Sequence, residues 1–195
     1  MRVSGGRWRG RILAAPKTDE VRPTQDRVRE ALFSMLLNEI PGCSFLDLFA
    51  GSGSVGIEAL SRGAARATFV EMEPRHLAVL SKNLALVLPD AAERSSCAET
   101  VRADAYAWLA TAGRGRRFDV AYCDPPYALG AEKGYGDMLR SLAECDVVRP
   151  GGLFVAEMKC SQDPEESAGW TLCRDRRYGQ TRVAVYLRDP GASEA

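Results

Sequence analysis

The stretch Asp47-Leu-Phe-Ala-Gly51-Ser-Gly53-Ser-Val-Gly56-Ile-Glu-Ala-Leu60 leaves few folds open to this chain. The apolar run Phe45-Leu46-Asp47-Leu48-Phe49, of strand type, leads into a glycine turn. Val55 to Leu60 then leaves it as helix-forming sequence, stopped by Gly63. Strand, glycine turn, helix is the context in which a nucleotide-binding glycine motif has meaning. The glycines permit a sharp turn and a close approach of ligand to backbone, and the helix start offers free N–H groups.

Two ligand readings compete. Gly51, Gly53 and Gly56 match G-x-G-x-x-G, and Glu71 follows Gly51 by twenty residues, as in a dinucleotide-binding domain. Asp47 argues the other way. An acid four residues before the first glycine is awkward beside a pyrophosphate and useful beside an ammonium. S-adenosylmethionine (SAM) carries an amino-acid end and a sulfonium, so it suits that acid. Phe49, Ala50, Gly51, Ser52 and Gly53 would then lie along the ligand, with Glu71 accepting from its ribose hydroxyls and Met72 alongside. A purely structural strand-to-helix turn is the bland alternative.

A second motif stands about seventy residues on. Phe118-Asp-Val-Ala-Tyr-Cys123 reads as a strand that ends in Asp124-Pro125-Pro126-Tyr127. Two prolines cannot continue a central strand, and they restrict the residues around them. The Asp124 carboxylate and the Pro125 carbonyl are thereby held as two acceptors. Together they can grip both hydrogens of an exocyclic NH2, orient its nitrogen and favour a more nucleophilic form. Tyr127 offers a face for a stacked planar base, worth about 1–3 kcal/mol. The competing reading is a plain β-turn beside an aromatic.

The rest of the chain fits one domain. It has 195 residues, 46% of them hydrophobic, enough for a full core. Net charge is zero, which gives no global argument for nucleic acid, but residues 1–17 hold Arg2, Arg7, Arg9, Arg11 and Lys17 without an acid. No apolar run reaches the length of a signal peptide or membrane span, and a cytoplasmic location is expected. Cysteines 43, 97, 123, 145, 160 and 173 form no C-x-x-C pair, which points to buried free thiols rather than zinc or disulfides. His76, the sole histidine, falls in a helical pattern and reads as a surface residue. No metal site is expected, and the chain reads as a monomer.

Residues 1–23 form a basic arm, 24–188 the main domain, and 189–195 a tail expected to be disordered. In the arm, Arg7, Trp8, Arg9 and Arg11 suit phosphate contact with base or ribose stacking, although Trp8 tucked onto the domain and a strand at Ile12-Leu13 fit equally. Arg22-Pro23-Thr24 opens a helix, with Thr24 as N-cap and Val28, Leu32, Met35, Leu36 and Ile40 as its core stripe, closed by Pro41-Gly42. The polar face of its first turn, with Arg27 and Arg29, could look toward cofactor or substrate. A second strand spans 67–70, its helix spans 74–88, residues 89–99 read as a loop, and a third strand spans 100–103. Asp104, followed by Ala105, could accept from an adenine amine. A short helix at 106–109 precedes the strand at 118–123. Residues 128–136 read as a flap, 137–148 as a helix, 153–156 as the fifth strand, 161–169 as an acidic loop, and 170–178 with 181–187 as a closing hairpin.

The expected fold is therefore α/β: a Rossmann-like, doubly wound, mostly parallel seven-stranded sheet ending in an antiparallel hairpin. Asp47, Glu71, Asp104 and Asp124 would fall at the ends of four successive strands.

At this level the chain resembles the class I SAM-dependent methyltransferases, and more narrowly the RsmD-type rRNA guanine-N2 methyltransferases. The resemblance rests on Gly6-Arg-Trp-Arg-Gly-Arg11, Arg22-Pro-Thr-x-Asp26-Arg-Val-Arg-Glu-Ala-Leu-Phe33 and Asp47-x-Phe-Ala-Gly-Ser-Gly53. It continues in Glu58-Ala-Leu-Ser-Arg-Gly-Ala64, Val70-Glu71, Asp124-Pro-Pro-Tyr127 and Tyr178-Gly-x-Thr181. Departures are few, mainly a glycine-richer flap and the short acidic loop. The resemblance implies methylation of guanine N2 in 16S rRNA within the small ribosomal subunit. Asp124, Pro125, Pro126 and Tyr127 would then hold the amine and base, and Arg7, Trp8, Arg9, Arg11, Arg22, Thr24, Arg27 and Arg29 would lie along RNA. The base would be unstacked for reaction. The residues alone give only methyl transfer to a planar amine. Adenine N6 or a protein glutamine amide fits the same clamp, an NAD-dependent oxidoreductase would leave Asp-Pro-Pro-Tyr idle, and a non-catalytic RNA-binding module would need only the arm.

Overall fold

The structure, a computed structural model, describes residues 1–15, 23–125 and 134–191, with the side chains of 23–25 not described. The chain divides into two compact units, Met1–Ala103 and Asp104–Ala195.

The first unit contains α1 (Pro23–Met35), β1 (Ser44–Leu48), α2 (Ser54–Ser61), β2 (Arg66–Glu71), α3 (Pro74–Val87), α4 (Ala91–Cys97) and β3 (Ala98–Arg102). Its strands lie parallel in the order β3-β2-β1. Phe45, Leu46, Leu48, Phe69 and Val70 are inaccessible, the pattern of strands covered on both faces. Asp47 sits opposite Phe69 in the ladder, and Leu48 opposite Val70. The second unit contains α5 (Ala105–Ala110), β4 (Phe118–Cys123), α6 (Tyr135–Glu144), β5 (Val148–Lys159), β6 (Trp170–Tyr178) and β7 (Thr181–Arg188). Its strand order is β4-β5-β7-β6, with β4 and β5 parallel and the other pairs antiparallel. Phe154 packs between the rings of Trp170 and Tyr186 at 6.1 and 6.0 Å, and Trp170 Nε1 donates to Leu139 O of α6 at 3.0 Å. The seven strands make a mixed α/β sheet with an antiparallel C-terminal hairpin, as the alternation of elements predicts.

Several boundaries differ from expectation for local reasons. Helix α1 begins at Pro23 itself, whose missing N–H costs nothing in a first turn, so Thr24 lies inside the helix rather than capping it. The helix ends at Met35, while Leu36 and Ile40 stay buried through the turns that follow. Residues 89–99 are not a loop. Asp90 caps α4 by accepting from Glu93 N at 2.7 Å, and β3 starts directly after. The spacing Asp90-x-x-Glu93 is a capping signal that the polarity of the segment hid. Helix α6 starts at Tyr135, inside the expected flap. Residues 128–133 of that flap, like Lys17, Arg22, Pro126, Tyr127 and residues 192–195, lie outside the described residues. Asp189 is tied down, donating from its N–H to Gly169 O at 3.0 Å and accepting from Thr171 Oγ1 at 2.8 Å.

The arm is a small hairpin. Arg2 and Ile12 form an antiparallel bridge, Val3 N donates to Arg11 O at 3.0 Å, and Leu13 N donates to Met1 O at 3.0 Å. Val3, Trp8 and Leu13 are buried, which places the arm against its own unit.

Candidate active site

The glycine turn is built from packing. Gly53, at φ +79, occupies the left-handed region that favours glycine, and a Cβ there would come within 2.2 Å of Leu80 Cδ1. A Cβ on Gly56 would meet the Phe69 ring at 2.3 Å, so this glycine lets α2 lie close on β2. Phe49 has φ +62, a rare conformation for a residue with a side chain, at the point where β1 gives way to the turn. Such an outlier persists only where its surroundings over-determine it, and it clusters at ligand sites.

Two carboxylates flank the turn. Asp47 is the fourth residue of β1, only 1% exposed, and its Oδ2 accepts from Gly56 N at 2.9 Å. Burial pushes its pKa up to about 7, with the nearby Glu71 carboxylate adding to the rise and the Gly56 N–H opposing it. Glu71, the last residue of β2, accepts from Gly51 N at 2.7 Å through Oε2 and from Glu73 N at 2.8 Å through Oε1. It thereby links the turn to the next helix. His76 Nδ1 stands 3.6 Å from Glu71 Oε2, partly exposed. Met72 is 51% exposed directly after Glu71, an uncovered apolar side chain beside an acid.

A residue that the sequence gives no hint of braces this turn. Asn83, buried on α3, donates from Nδ2 to Ser52 O at 2.9 Å and to Ala14 O at 3.0 Å, and its Oδ1 accepts from Ala14 N at 2.8 Å. One amide thus joins the turn to the end of the arm. It lies between the leucines of an amphipathic stripe, where it reads as ordinary solvated polarity.

In the second unit, Asp104 lies two residues past β3 and caps α5, its Oδ1 accepting from Ala107 N at 2.9 Å, with Ala105 buried. Asp124 is exposed immediately after β4, and Pro125 is half-buried. Around the end of β4 gather Tyr106 and Tyr135, both with phenol pKa values raised chiefly by burial and then by Cys123; Asp124 adds to the rise at Tyr135, and Asp104 at Tyr106. Tyr135 Oη donates to Glu157 O, and Tyr122 Oη donates to Glu157 Oε2 at 2.6 Å. Sequence reasoning passed over Tyr106 and Tyr135, because one lies in a short helix and the other was read as flap.

The candidate RNA residues divide. Arg9, Arg11 and Arg27 are exposed. Arg7 pairs with Glu93 at 2.5 Å and lies over the Trp8 ring at 5.6 Å. Trp8 is tucked in, its N–H donating to Ser61 Oγ at 2.9 Å. Arg29 is buried too. Its Nη2 donates to Arg2 O and to Asp26 Oδ1, and its Nε, without a hydrogen bond, stands 3.4 Å from Glu58 Oε2. Trp8 and Arg29 are therefore spent inside the protein, holding the arm.

Their anchor is Glu58, a carboxylate with no exposure. It accepts from Ser4 N at 2.8 Å, Ser4 Oγ at 2.7 Å, Gly5 N at 2.8 Å and Arg62 Nε at 2.7 Å. So many donors to one buried carboxylate satisfy the rule that a charge leaves water only when paired and hydrogen-bonded. All six cysteines are free, and three of them are buried. Among the described residues no group of His, Cys, Asp or Glu could hold a metal ion, and no helix is long and apolar enough to cross a membrane.

A glycine turn after the first strand, an acid closing the second and Asp-Pro after the fourth, on a seven-stranded mixed sheet, place the chain with the α/β methyltransferases. A putative methyltransferase from Escherichia coli superposes with a TM-score of 0.81 at 32% identity, covering 97% of this chain and 98% of the other. The model of the family described as conserved hypothetical protein 95, the RsmD family, matches residues 1–187, and the chain belongs to it. It is 36% identical over 197 residues to ribosomal RNA small subunit methyltransferase D of Escherichia coli K12, covering 100% of this chain and 94% of that protein. It is also 36% identical over 190 residues to a putative rRNA methyltransferase of Bacillus subtilis, covering 96% and 99%.

Proposed function

We propose that the protein transfers a methyl group from SAM to the exocyclic N2 amine of one guanine in 16S rRNA of the small ribosomal subunit. The observation that carries this reading is the end-to-end likeness to rRNA small subunit methyltransferase D, with the acids of the glycine turn and the Asp-Pro pair in place. When bound, SAM supplies an electrophilic methyl group on a sulfonium. Asp47 would balance the ammonium end, Glu71 would accept from the ribose hydroxyls, and Met72 would lie alongside; Phe49, Ala50, Gly51, Ser52 and Gly53 would present backbone along the ligand. Asp104 and Ala105 border the adenine. Asp124 Oδ and Pro125 O accept the two amine hydrogens of the guanine and aim the nitrogen at the methyl group. Asp124, exposed directly after β4, would also be placed to take the proton that the amine gives up on methylation. Pro126 and Tyr127 complete the clamp and the stacking face. Exposed Arg9, Arg11 and Arg27, with Arg7 and Arg22, contact RNA phosphates.

The test uses radiolabelled SAM with small subunits from cells lacking the enzyme, deproteinised rRNA and genomic DNA, followed by digestion and identification of the methylated base. N2-methylguanine in the subunit sample is the expected product. N6-methyladenine in DNA would keep the clamp and replace the substrate. Asp124→Ala should lose at least 100-fold in turnover, the scale of a transition-state contact worth about 3 kcal/mol, while binding SAM as the wild type does. An equal loss of SAM affinity would remove Asp124 from the substrate side.

A further inference from the structure

The C-terminal hairpin carries a concentration of arginine that the methyl-transfer site does not use. Residues 174–182 read Arg-Asp-Arg-Arg-Tyr-Gly-Gln-Thr-Arg, in a chain of zero net charge. Strand β6 ends the order β4-β5-β7-β6. Its pairing with β7 sorts these side chains by face: Arg177 is opposite Arg182, and Arg176 is opposite Val183. Arg182 is buried and takes up the acids. Its Nε and Nη2 donate to the two oxygens of Asp175 at 2.8 and 2.7 Å, and Nη1 donates to Asp163 Oδ1 at 2.6 Å. That leaves Asp163 Oδ1 3.9 Å from Arg177, whose side chain is 60% exposed. Arg176 is exposed and donates to the carbonyl of its neighbour Asp175 at 2.9 Å. Of the other acids in the 161–169 loop, Glu165 packs against Gly134 and Gly136 at the start of α6.

Arginines on an edge strand have a plain structural use, since charge there blocks edge-to-edge pairing of sheets. That use is indifferent to sign. Here, however, Asp163 and Asp175 are taken up by the buried Arg182, and within residues 170–188 five arginines stand against the single acid Asp175. We propose that the β6–β7 hairpin is a second RNA-docking surface, on which Arg176 and Arg177 contact phosphates of the small-subunit RNA outside the nucleotide being methylated. This rests on the rRNA reading above and adds to it where the enzyme grips its substrate. Contacts of this kind position the protein and carry no sequence information.

The test compares wild type, Arg176→Glu/Arg177→Glu, Arg176→Gln/Arg177→Gln and Arg176→Lys/Arg177→Lys. Binding to unmethylated small subunits and to their deproteinised RNA is followed from 50 to 300 mM salt, with SAM affinity measured in parallel. Glutamate keeps the edge charged, so a guard against aggregation survives, while phosphate contact does not. The expected result is at least tenfold weaker subunit binding for the Glu and Gln pairs. Their log-affinity slope against log salt should be shallower by about 1.4–1.8, from two contacts at roughly 0.7–0.9 each. KM should rise with kcat and SAM affinity unchanged, and the Lys pair should bind nearly as the wild type does. Glu and Gln pairs indistinguishable from wild type, on an enzyme that does methylate the subunit, would overturn this inference alone. Weakened binding to subunits without any change on deproteinised RNA would assign the hairpin to a ribosomal protein and also overturn it. A wild type that neither binds nor methylates the subunit would overturn the rRNA reading instead.

Discussion

The ammonium-binding role proposed for Asp47 would couple proton binding to cofactor binding. Its pKa of about 7 lies above the ordinary value of 3.8, so the folded, ligand-free site prefers the neutral acid. The folded state holds a proton that the unfolded chain releases between pH 3.8 and about 7, and the contribution of this residue to stability declines as pH rises across that window. A cationic ligand beside Asp47 reverses the preference and expels the proton. SAM affinity should therefore rise with pH up to about 7, by at most about tenfold per pH unit, and then level off. Asp47→Asn should bind SAM more weakly and lose this component of the pH profile, and any titration of the ligand itself appears in both proteins and cancels. Calorimetric titrations at pH 5.5 to 8.5 on both proteins decide the matter, and equal profiles would exclude Asp47 from the ammonium site. The position of Asp47 beside the turn was legible in the sequence. Its near-complete burial and its bond to Gly56 N were not, because both depend on α2 folding back over β1.

Helix α2 serves two ends. Its start closes the glycine turn, and its last residues, with Arg62 beyond them, anchor the arm through Glu58, Ser61 and Arg62. Glu58 was legible in the sequence only as part of a family motif, since one carboxylate in a short helix looks solvated. Arg62 is brought to it by i,i+4 helix spacing, but no spacing brings Ser4, Gly5 and Arg29 there. Removing one member of a buried charge cluster strands the others, at a cost of about 3–5 kcal/mol. Glu58→Ala should lower the denaturant midpoint accordingly and open the arm to trypsin at Arg7, Arg9 and Arg11. An unchanged midpoint and digestion pattern would mean that packing of Val3, Trp8 and Leu13 alone holds the arm. The elements themselves were well forecast where periodicity is strong, as in β4 and the closing hairpin. Helix α4 was missed because its capping acid sits in a stretch whose polarity resembles a loop.

For the molecule as a whole, zero net charge conceals a sorting of charge into two hairpins, one at each end of the chain. The arm presents Arg9 and Arg11 to solvent, and Arg7 shares Glu93. Changing Arg7, Arg9 and Arg11 together to Ala should weaken subunit binding and flatten its salt dependence by up to about 2–3 in slope, read by filter binding across a salt series. A slope equal to wild type would make the arm a purely structural cover. The architecture followed from the alternation of strand and helix patterns, and the chemistry from two short motifs. That Trp8 tucks onto the domain was one of two even readings of the arm, but its polar partners were beyond reach, because they lie up to 86 residues away.

That separation has a consequence during synthesis. Ser4 and Gly5 wait for Glu58, 54 and 53 residues later, and Ala14 waits for Asn83, 69 residues later. Arg7 waits longest, for Glu93, 86 residues later, so at roughly 5–20 residues per second the arm emerges about 4–17 s before its last partner is made. Until Glu58 is made, a nascent hairpin bearing Trp8 and four arginines is held by none of the acids that later fix it, and the newborn chain leaves bare the indole that the finished fold buries.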